Sequence, residues 1–298
     1  MFKIPNQPLS NESAQNRLDH LHNKVAQESS FSDKVNKAQR LWKAKSSANI
    51  DKTTFAAIRE ELQALSPVPY AYCHYCEHNE EADIEHIVPK GFFPLDCFIW
   101  NNYLLACKKC NSSHKKDKMY VFLPPANNLD NQELRRIGPE NIQPFQPNRA
   151  NIAFIHPRLE DPFDLLWLNL SSFMLEPKEP NGSRAHIKAQ NTIDILKLNR
   201  EFLIDSRKKA FIAFFRAFKE YVDILSCSNH SSLEAITLSP CPLTTNFNLE
   251  KDRILENLKK HILNSEQQTV LKEICRQRST LSPQKQDIIS AINWLSDV

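Results

Sequence analysis

The fold of this chain is decided by the stretch from residue 73 to residue 110, CHYCEHNEEADIEHIVPKGFFPLDCFIWNNYLLACKKC. The stretch begins with the pair Cys73 and Cys76 and ends with the pair Cys107 and Cys110, and 30 residues separate the two pairs. Each Cys-x-x-Cys pair can form a knuckle that presents two thiolates to one metal ion. The two pairs therefore predict a structural zinc site with tetrahedral geometry and Zn–S distances of about 2.3 Å.

The remaining cysteines have no second cysteine at this spacing, so we interpret them as packing residues: Cys97, Cys227, Cys241 and Cys275. The first residues, MFKIPNQPLS, lack the apolar stretch of a signal peptide, and nowhere do about 18 apolar residues follow one another, as a membrane span requires. We therefore expect a cytoplasmic protein without membrane contact, whose cysteines are metal ligands or buried thiols rather than disulfides.

The composition is that of an ordinary globular protein, with 41% hydrophobic and 24% charged residues. Only 3 glycines occur in 298 residues, which favours helix, and Gly91, Gly138 and Gly182 cannot form a phosphate-binding loop. Any nucleotide must therefore be bound by a partner. The net charge of +3 is small, so attraction to nucleic acid must come from local clusters of cations.

Hydrophobic periodicity divides the chain into four predicted segments. They are an N-terminal helical segment (1–69), a finger (70–120), a connecting loop with a strand pair (121–180) and a C-terminal helical region (181–298). The strand pair is expected at 163–170 and 173–176, and two of the C-terminal helices at about 248–276 and 283–296. The predicted fold class is α+β and mainly helical, with a zinc-stapled finger embedded between helical segments.

The residues between the two cysteine pairs add a second kind of chemistry. Asp83 to Pro89 alternates polar and apolar residues as a strand does, which places Glu85 and His86 on opposite sides near its end. A histidine beside a carboxylate can act as a general base while the carboxylate holds a hard divalent cation. An adjacent Glu-His pair is weak evidence when taken alone, because most such pairs only face solvent.

The whole stretch resembles the HNH, or ββα-metal, nuclease superfamily. That pattern has Cys-x-x-Cys, then Glu-His or Asp-His, then an asparagine five residues before Cys-x-x-Cys-Asn, and here Asn102 and Asn111 fill the two asparagine positions. The resemblance implies a metal-dependent HNH endonuclease, which is a phosphodiester hydrolase. It also implies that the zinc-stapled finger is built from two short strands and a helix.

The resemblance implies a role for each matching residue. His86 would deprotonate the attacking water, and Asn102 would hold the loop and orient the His86 imidazole. Glu85 and Asn111 would ligate one Mg²⁺ or Mn²⁺ as the catalytic metal. Because the third position of the family is often histidine, His114 is an alternative to Asn111, or else contacts phosphate. A cluster of lysines can neutralise phosphates without reading sequence: Lys108, Lys109, Lys115, Lys116 and Lys118.

A narrower resemblance extends outside the finger. Two stretches are similar to the PtuB family of HNH effectors: the motif Glu85-His-x-x-Pro89-Lys90 and the run Ala189-x-x-Thr-Ile-x-x-Leu-x-Leu-Asn-Arg-x-x-Leu-x-x-x-Arg207. The family belongs to Septu and retron anti-phage systems and works with a PtuA-type ATPase. The resemblance therefore implies two partners, a nucleic acid and that ATPase. We expect the nucleic acid to be DNA, and RNA stays open. Two alternatives remain: a free-standing restriction-type or RNA-cleaving HNH nuclease, and a non-catalytic zinc-stabilised nucleic-acid-binding module.

Overall fold

The computed structural model describes residues 1–47, 49–66, 72–80, 82–125, 128–134, 146–237 and 246–298. These residues form a mainly helical α+β protein with three two-stranded antiparallel sheets, which confirms the coarse fold class. The chain separates into two compact units, and each is described by itself. Unit 1 contains Met1–Asn169 and Met174–Arg200, and unit 2 contains Leu170–Phe173 and Glu201–Val298. The predicted C-terminal region, 181–298, is therefore divided between them, and the predicted four segments stay a prediction.

Within the predicted N-terminal helical segment, unit 1 begins with three helices: α1 (Glu12–Ala26), α2 (Phe31–Lys43) and α3 (Asn49–Ala64). The first two begin where a short polar side chain satisfies a backbone N–H of the first turn. The Asn11 side chain accepts a hydrogen bond from the Ala14 backbone N–H, and the Ser30 side chain accepts one from Asp33. The apolar face of α1 is buried, as helical spacing requires.

The finger consists of a hairpin followed by one unusual helix. Strand β1 (Ala82–His86) pairs antiparallel with β2 (Tyr103–Cys107), in a register that sets Ala82 opposite Cys107 and His86 opposite Tyr103. The basic helix expected after β2 is a seven-residue π-helix, Lys109–Lys115, which ends where Lys116 adopts a φ of 50°. A π-helix is rare and is frequently found at functional sites.

The segment after the finger contains more strand than its many Pro and Asn residues predict. Strand β3 (Tyr120–Phe122) pairs with β4 (Asn131–Glu133) inside the stretch interpreted as loop, and part of that stretch lies outside the described residues. Three-residue strands are too short to show periodicity. The expected later pair is present as β5 (Leu166–Leu168) and β6 (Leu175–Pro177). Strand β5 starts later than expected because Pro162–Leu165 forms a short helix, α4.

The helices that follow differ from the prediction at two points. Their bounds are α5 (Arg184–Leu196) in unit 1, and α6 (Glu201–Leu225), α7 (His230–Thr237), α8 (Phe247–Leu263), α9 (Gln268–Arg276) and α10 (Pro283–Ser290) in unit 2. The single helix expected at 248–276 is two helices. Gln267 adopts the left-handed conformation, with φ 60°, and this interrupts the helical hydrogen bonds of the backbone. The helix expected at 283–296 ends at Ser290, because Ile292 leaves the helical conformation, and a 3-10 helix follows over Asn293–Asp297. Within the described ranges, none of these helices combines the length and apolar character that crossing a membrane requires.

Candidate metal centre and catalytic site

The four cysteines of the two knuckles converge on one point of unit 1. All four are buried, and their sulfur atoms lie within 4.8 Å of one another. The Sγ atoms of Cys76 and Cys107 are 3.8 Å apart. A tetrahedral zinc ion with Zn–S distances of about 2.3 Å requires sulfur atoms about 3.8 Å from each other. The donor set, its spacing and its burial therefore fit zinc, as the sequence predicts.

Local backbone structure brings the knuckles together. The first knuckle closes when the Glu77 N–H donates to the Cys73 carbonyl over 2.8 Å, a turn in which Glu77 takes a left-handed φ of 60°. His74 then fastens the knuckle to β2, since its N–H donates to the Leu105 carbonyl and its Nδ1 accepts from the Leu105 N–H. Cys107 ends β2 and Cys110 lies in the π-helix, so the register of the hairpin carries the second pair to the first.

The cysteine cluster has a cationic neighbour that sequence analysis did not assign to it. Arg200 follows α5 in the chain, and its guanidinium lies near enough to Cys76 and Cys110 to interact with them electrostatically, which raises the pKa of Arg200 against the effect of burial. Hydrogen bonds within the cluster, the largest from Cys110, lower the pKa of Cys107 to about 6, which favours the thiolate form that binds zinc. Zinc with four thiolates carries a net charge of −2, which Arg200 partly offsets. The one signal in the sequence was the position of Arg200 in the PtuB-like run.

His86 is buried at the end of β1. Its Nε2 lies 2.9 Å from the carbonyl oxygen of Cys97, which can only accept, so Nε2 carries the hydrogen and Nδ1 is the basic nitrogen of the neutral ring. The Trp42 ring packs on the imidazole with centroids 4.2 Å apart. Burial, followed by the charge of Lys90, holds the pKa of His86 well below its usual range. The imidazole is therefore neutral at pH 7, as a general base must be.

Asn102 fastens the loop that follows β1. Its Oδ1 accepts from the Val88 N–H at 2.8 Å, and its Nδ2 donates to the carbonyls of Val88, at 3.1 Å, and Asp96, at 2.9 Å. These contacts use both ends of the amide. Asn102 therefore acts on His86 indirectly, because Asp96 precedes Cys97, whose carbonyl orients the imidazole. The Tyr103 hydroxyl donates to the same carbonyl at 2.6 Å.

Glu85 lies on the other face of β1, where a lysine binds it. The Lys115 Nζ is 2.6 Å from Oε1 of Glu85 and donates to the backbone carbonyl of His86 at 2.8 Å. Both side chains are buried. Lys115 thus differs from the other lysines of the predicted phosphate-binding cluster, which are exposed: Lys108, Lys109, Lys116 and Lys118. Its ammonium is not presented to solvent.

Asn111 and His114, the two alternatives for the third position of the pattern, have different surroundings. Asn111 lines a cavity of about 540 Å³ beside Asp83 and Ile84 of β1. His114 has a buried Nε2 that finds no hydrogen-bond partner among the described residues. Burial, followed by Arg200 and Lys109, lowers the pKa of His114. The structure brings together Glu85, Lys115 and the backbone of His86, and it surrounds His114 with cations.

These features describe a four-cysteine metal centre that fastens a hairpin to a π-helix, with a buried neutral histidine at the far end of the hairpin. No protein-family model matches the chain. The chain is similar to the Septu protein PtuB of Bacillus mycoides (strain KBAB4), with 27% identity over 155 residues. The match covers 46% of this chain and 46% of that protein, so it spans less than half of either length. The similarity supports the Septu and PtuB resemblance of the sequence.

Proposed function

We propose that this protein is a metal-dependent HNH endonuclease that hydrolyses nucleic-acid phosphodiesters as an effector of a Septu-type anti-phage system. The observation that carries the proposal is His86, a buried neutral imidazole whose Nε2 is held by the Cys97 carbonyl at 2.9 Å. A zinc module that only binds nucleic acid has no use for a buried base with this orientation. The similarity to a Septu protein supports the defence role.

In this proposal His86 acts through Nδ1. A water molecule gives a proton to Nδ1, and the hydroxide forms a bond to phosphorus. The bond to the leaving 3′ oxygen breaks, and that oxygen takes a proton from solvent to become the 3′ hydroxyl, while His86 later returns its proton to solvent. The Cys97 carbonyl stabilises the resulting imidazolium, since it accepts from Nε2–H throughout. Asn102 keeps that carbonyl in place through the adjacent Asp96 carbonyl. In this proposal the backbone carbonyl of Cys97, and not a side-chain carboxylate, orients the His86 imidazole.

The proposal assigns separate roles to two metal ions. Zinc, bound by the four cysteines, holds the finger together. Glu85 and Asn111 offer the oxygen ligands that Mg²⁺ or Mn²⁺ prefers, and they would hold the catalytic ion. When bound, such an ion stabilises the charge that develops on the phosphate and the leaving oxygen. Lys115 shares the Glu85 carboxylate, so we expect the ion to bind weakly. The cations around His114 make it the less suitable ligand.

The partner in the proposal is an ATPase of the PtuA type, with DNA as the expected substrate. With only 3 glycines, the sequence contains no Gly-rich phosphate-binding motif, so a separate ATPase would have to bind any nucleotide. The second candidate is a free-standing or RNA-cleaving HNH nuclease. It requires the same site, and it differs only in whether an ATPase co-purifies and which polymer is cut.

The experiment is a cleavage assay with purified protein, with and without a PtuA-type ATPase, on plasmid DNA and total RNA with Mg²⁺ or Mn²⁺. We expect cleavage by the wild type and a loss of about 10² to 10⁴ in rate for His86→Ala, because a general base contributes that much. His20→Ala, a change at an exposed histidine of α1, is the matched control and should cut normally. Wild-type cleavage by His86→Ala, with unchanged zinc content, would remove His86 from the mechanism.

A further inference from the structure

The cavity that contains Asn111 is a groove between the N-terminal helices and the finger, within unit 1. One wall carries Lys45, Lys52 and Arg59, from α3 and the turn before it, and the other carries Asp83 and Asn111. We call these five residues, with Trp42, the basic groove. Its volume is about 540 Å³, and its walls come from segments that are not adjacent in the chain.

The basic groove has an excess of positive charge. Among the described residues that line it, Asp83 is the acidic one, and its Oδ1 is held by Arg59 at 2.5 Å. Lys45 and Lys52 therefore add to Arg59 to give this described lining a net positive charge. Burial lowers the pKa of Lys45, and Lys90 and Arg59 act in the same direction, against the opposite effect of Asp83.

Trp42, which lines the groove, also contacts the candidate base. The Trp42 ring packs edge-to-face on His86, with centroids 4.2 Å apart, and Lys45 Nζ lies 4.6 Å from the centroid of the same ring. Trp42 also packs on Phe55, at 5.3 Å, which lines the groove. Phe55 is buried, and Trp42 packs on Phe55, His86 and Phe98, so these rings form the floor of the groove and the cations are what a ligand would meet. The contact of Trp42 with the candidate base favours a nucleic-acid backbone over an acidic peptide as the occupant, because phosphates would then meet the cations close to His86.

We propose that the basic groove binds the sugar-phosphate backbone of the nucleic acid, with Lys45 and Lys52 neutralising phosphates. The inference rests on the proposed nuclease function and names the surface that delivers substrate to it. The N-terminal helices then supply half of the substrate track, and the π-helix supplies the other half through Asn111. Phosphate binding of this kind selects the polymer by its backbone and not by its sequence.

The test measures binding by fluorescence anisotropy in buffer without divalent cations, so that no strand is cut. The probes are a labelled single-stranded DNA, its duplex and an RNA of the same sequence. The variant is Lys45→Ala/Lys52→Ala. The matched control is Lys34→Ala/Lys43→Ala, which removes the same charge from α2 at positions that do not line the groove. Zinc content and circular dichroism check the fold of each protein.

We expect the groove variant to bind at least one probe about tenfold or more weakly, while the control stays within about threefold of the wild type. The slope of log K against log salt should fall by roughly 1.4 to 1.8, which corresponds to two lost phosphate contacts. The probe with the largest change identifies the polymer. Equal effects of the two double variants, an unchanged slope, or no binding by the wild type would each overturn the proposal.

These outcomes distinguish the groove proposal from the proposed nuclease function. If the wild type does not cleave, but the groove variant binds more weakly and with a smaller salt slope, the nuclease function is wrong and the groove proposal is supported. If the wild type cleaves and the groove variant binds normally, the groove proposal is wrong and the nuclease function is supported.

Discussion

Lys115 and Glu85 form a buried ion pair, with Nζ 2.6 Å from Oε1, and this pair ties the π-helix to the end of β1. The same ammonium donates to the His86 carbonyl at 2.8 Å. A buried charge that keeps its partner is tolerated, whereas a buried charge that loses its partner is strongly destabilising. The geometry of the candidate site therefore depends on a residue that resembles an ordinary surface lysine in the sequence.

Lys115→Met should lower the free energy of unfolding by about 3 to 5 kcal/mol, because it leaves Glu85 buried without its cation. Lys116→Met, at the exposed neighbour, should change it by less than about 0.5 kcal/mol. Urea unfolding monitored by tryptophan fluorescence measures both. Mn²⁺ should raise the unfolding midpoint of Lys115→Met more than that of the wild type, since the ion can take the place of the ammonium at Glu85. Equal Mn²⁺ effects on the two proteins would argue against Glu85 as a metal ligand.

Cys110→Ser should abolish zinc binding and make the finger unfold or aggregate, because structural zinc contributes on the order of 10 kcal/mol or more to such modules. Elemental analysis should give about one zinc per chain for the wild type and almost none for the variant. Cys275→Ser removes a cysteine outside the cluster and should keep the metal. A zinc-free wild type with a native circular dichroism spectrum would contradict the zinc assignment.

Arg200→Ala should weaken zinc retention by roughly 10- to 100-fold, which is the usual effect of losing a hydrogen-bonding partner of a metal ligand. The cause is the loss of a guanidinium that contacts the thiols of Cys76 and Cys110. Arg200→Lys keeps the charge but not the planar fork, so its effect should be intermediate. Zinc transfer to a chromogenic chelator is the measurement, and Arg216→Ala in α6 is the control. Unchanged transfer from Arg200→Ala would mean that the arginine does not support the metal.

His156 should be one of the buried histidines that lower the stability of the protein in mild acid, together with His74 and His86. Burial, and then the positive charges of Arg158 and Lys188, lower the pKa of His156 to about 3. In the unfolded chain its pKa is about 6.5, so only the unfolded state takes up a proton between these values. The contribution of the neutral ring is fully present above about pH 6.5 and is lost as the pH falls towards 3. At pH 5 the loss amounts to about 2 kcal/mol.

Unfolding by urea at pH 7.5 and at pH 5 checks the His156 prediction. His156→Gln cannot be protonated, so it should show a smaller difference between the two pH values than the wild type, whereas His20→Gln should show the same difference. If His156→Gln loses as much stability in acid as the wild type, another group causes the acid sensitivity.

Local patterns in the sequence determined much of this protein. The helices α1 to α3 follow from apolar residues at helical spacing, because each helix buries one face. The zinc donors follow from two Cys-x-x-Cys pairs, because a knuckle is formed by residues close in the chain. The alternation of polar and apolar residues in β1 predicts that Glu85 and His86 lie on opposite faces of the strand, and the contacts of the two side chains agree with this prediction.

Tertiary packing decided the features that no local pattern contains. The lysines from 108 to 118 look alike in sequence, and only the packing of the π-helix on β1 buries Lys115 while its neighbours stay exposed. Arg200 reaches the cysteine cluster from the far end of unit 1. The basic groove exists because α3 and the turn before it lie beside β1 and the π-helix. Hydrophobic period and residue spacing report on neighbours in the chain, whereas burial, ion pairing and shared cavities depend on which distant segments come into contact.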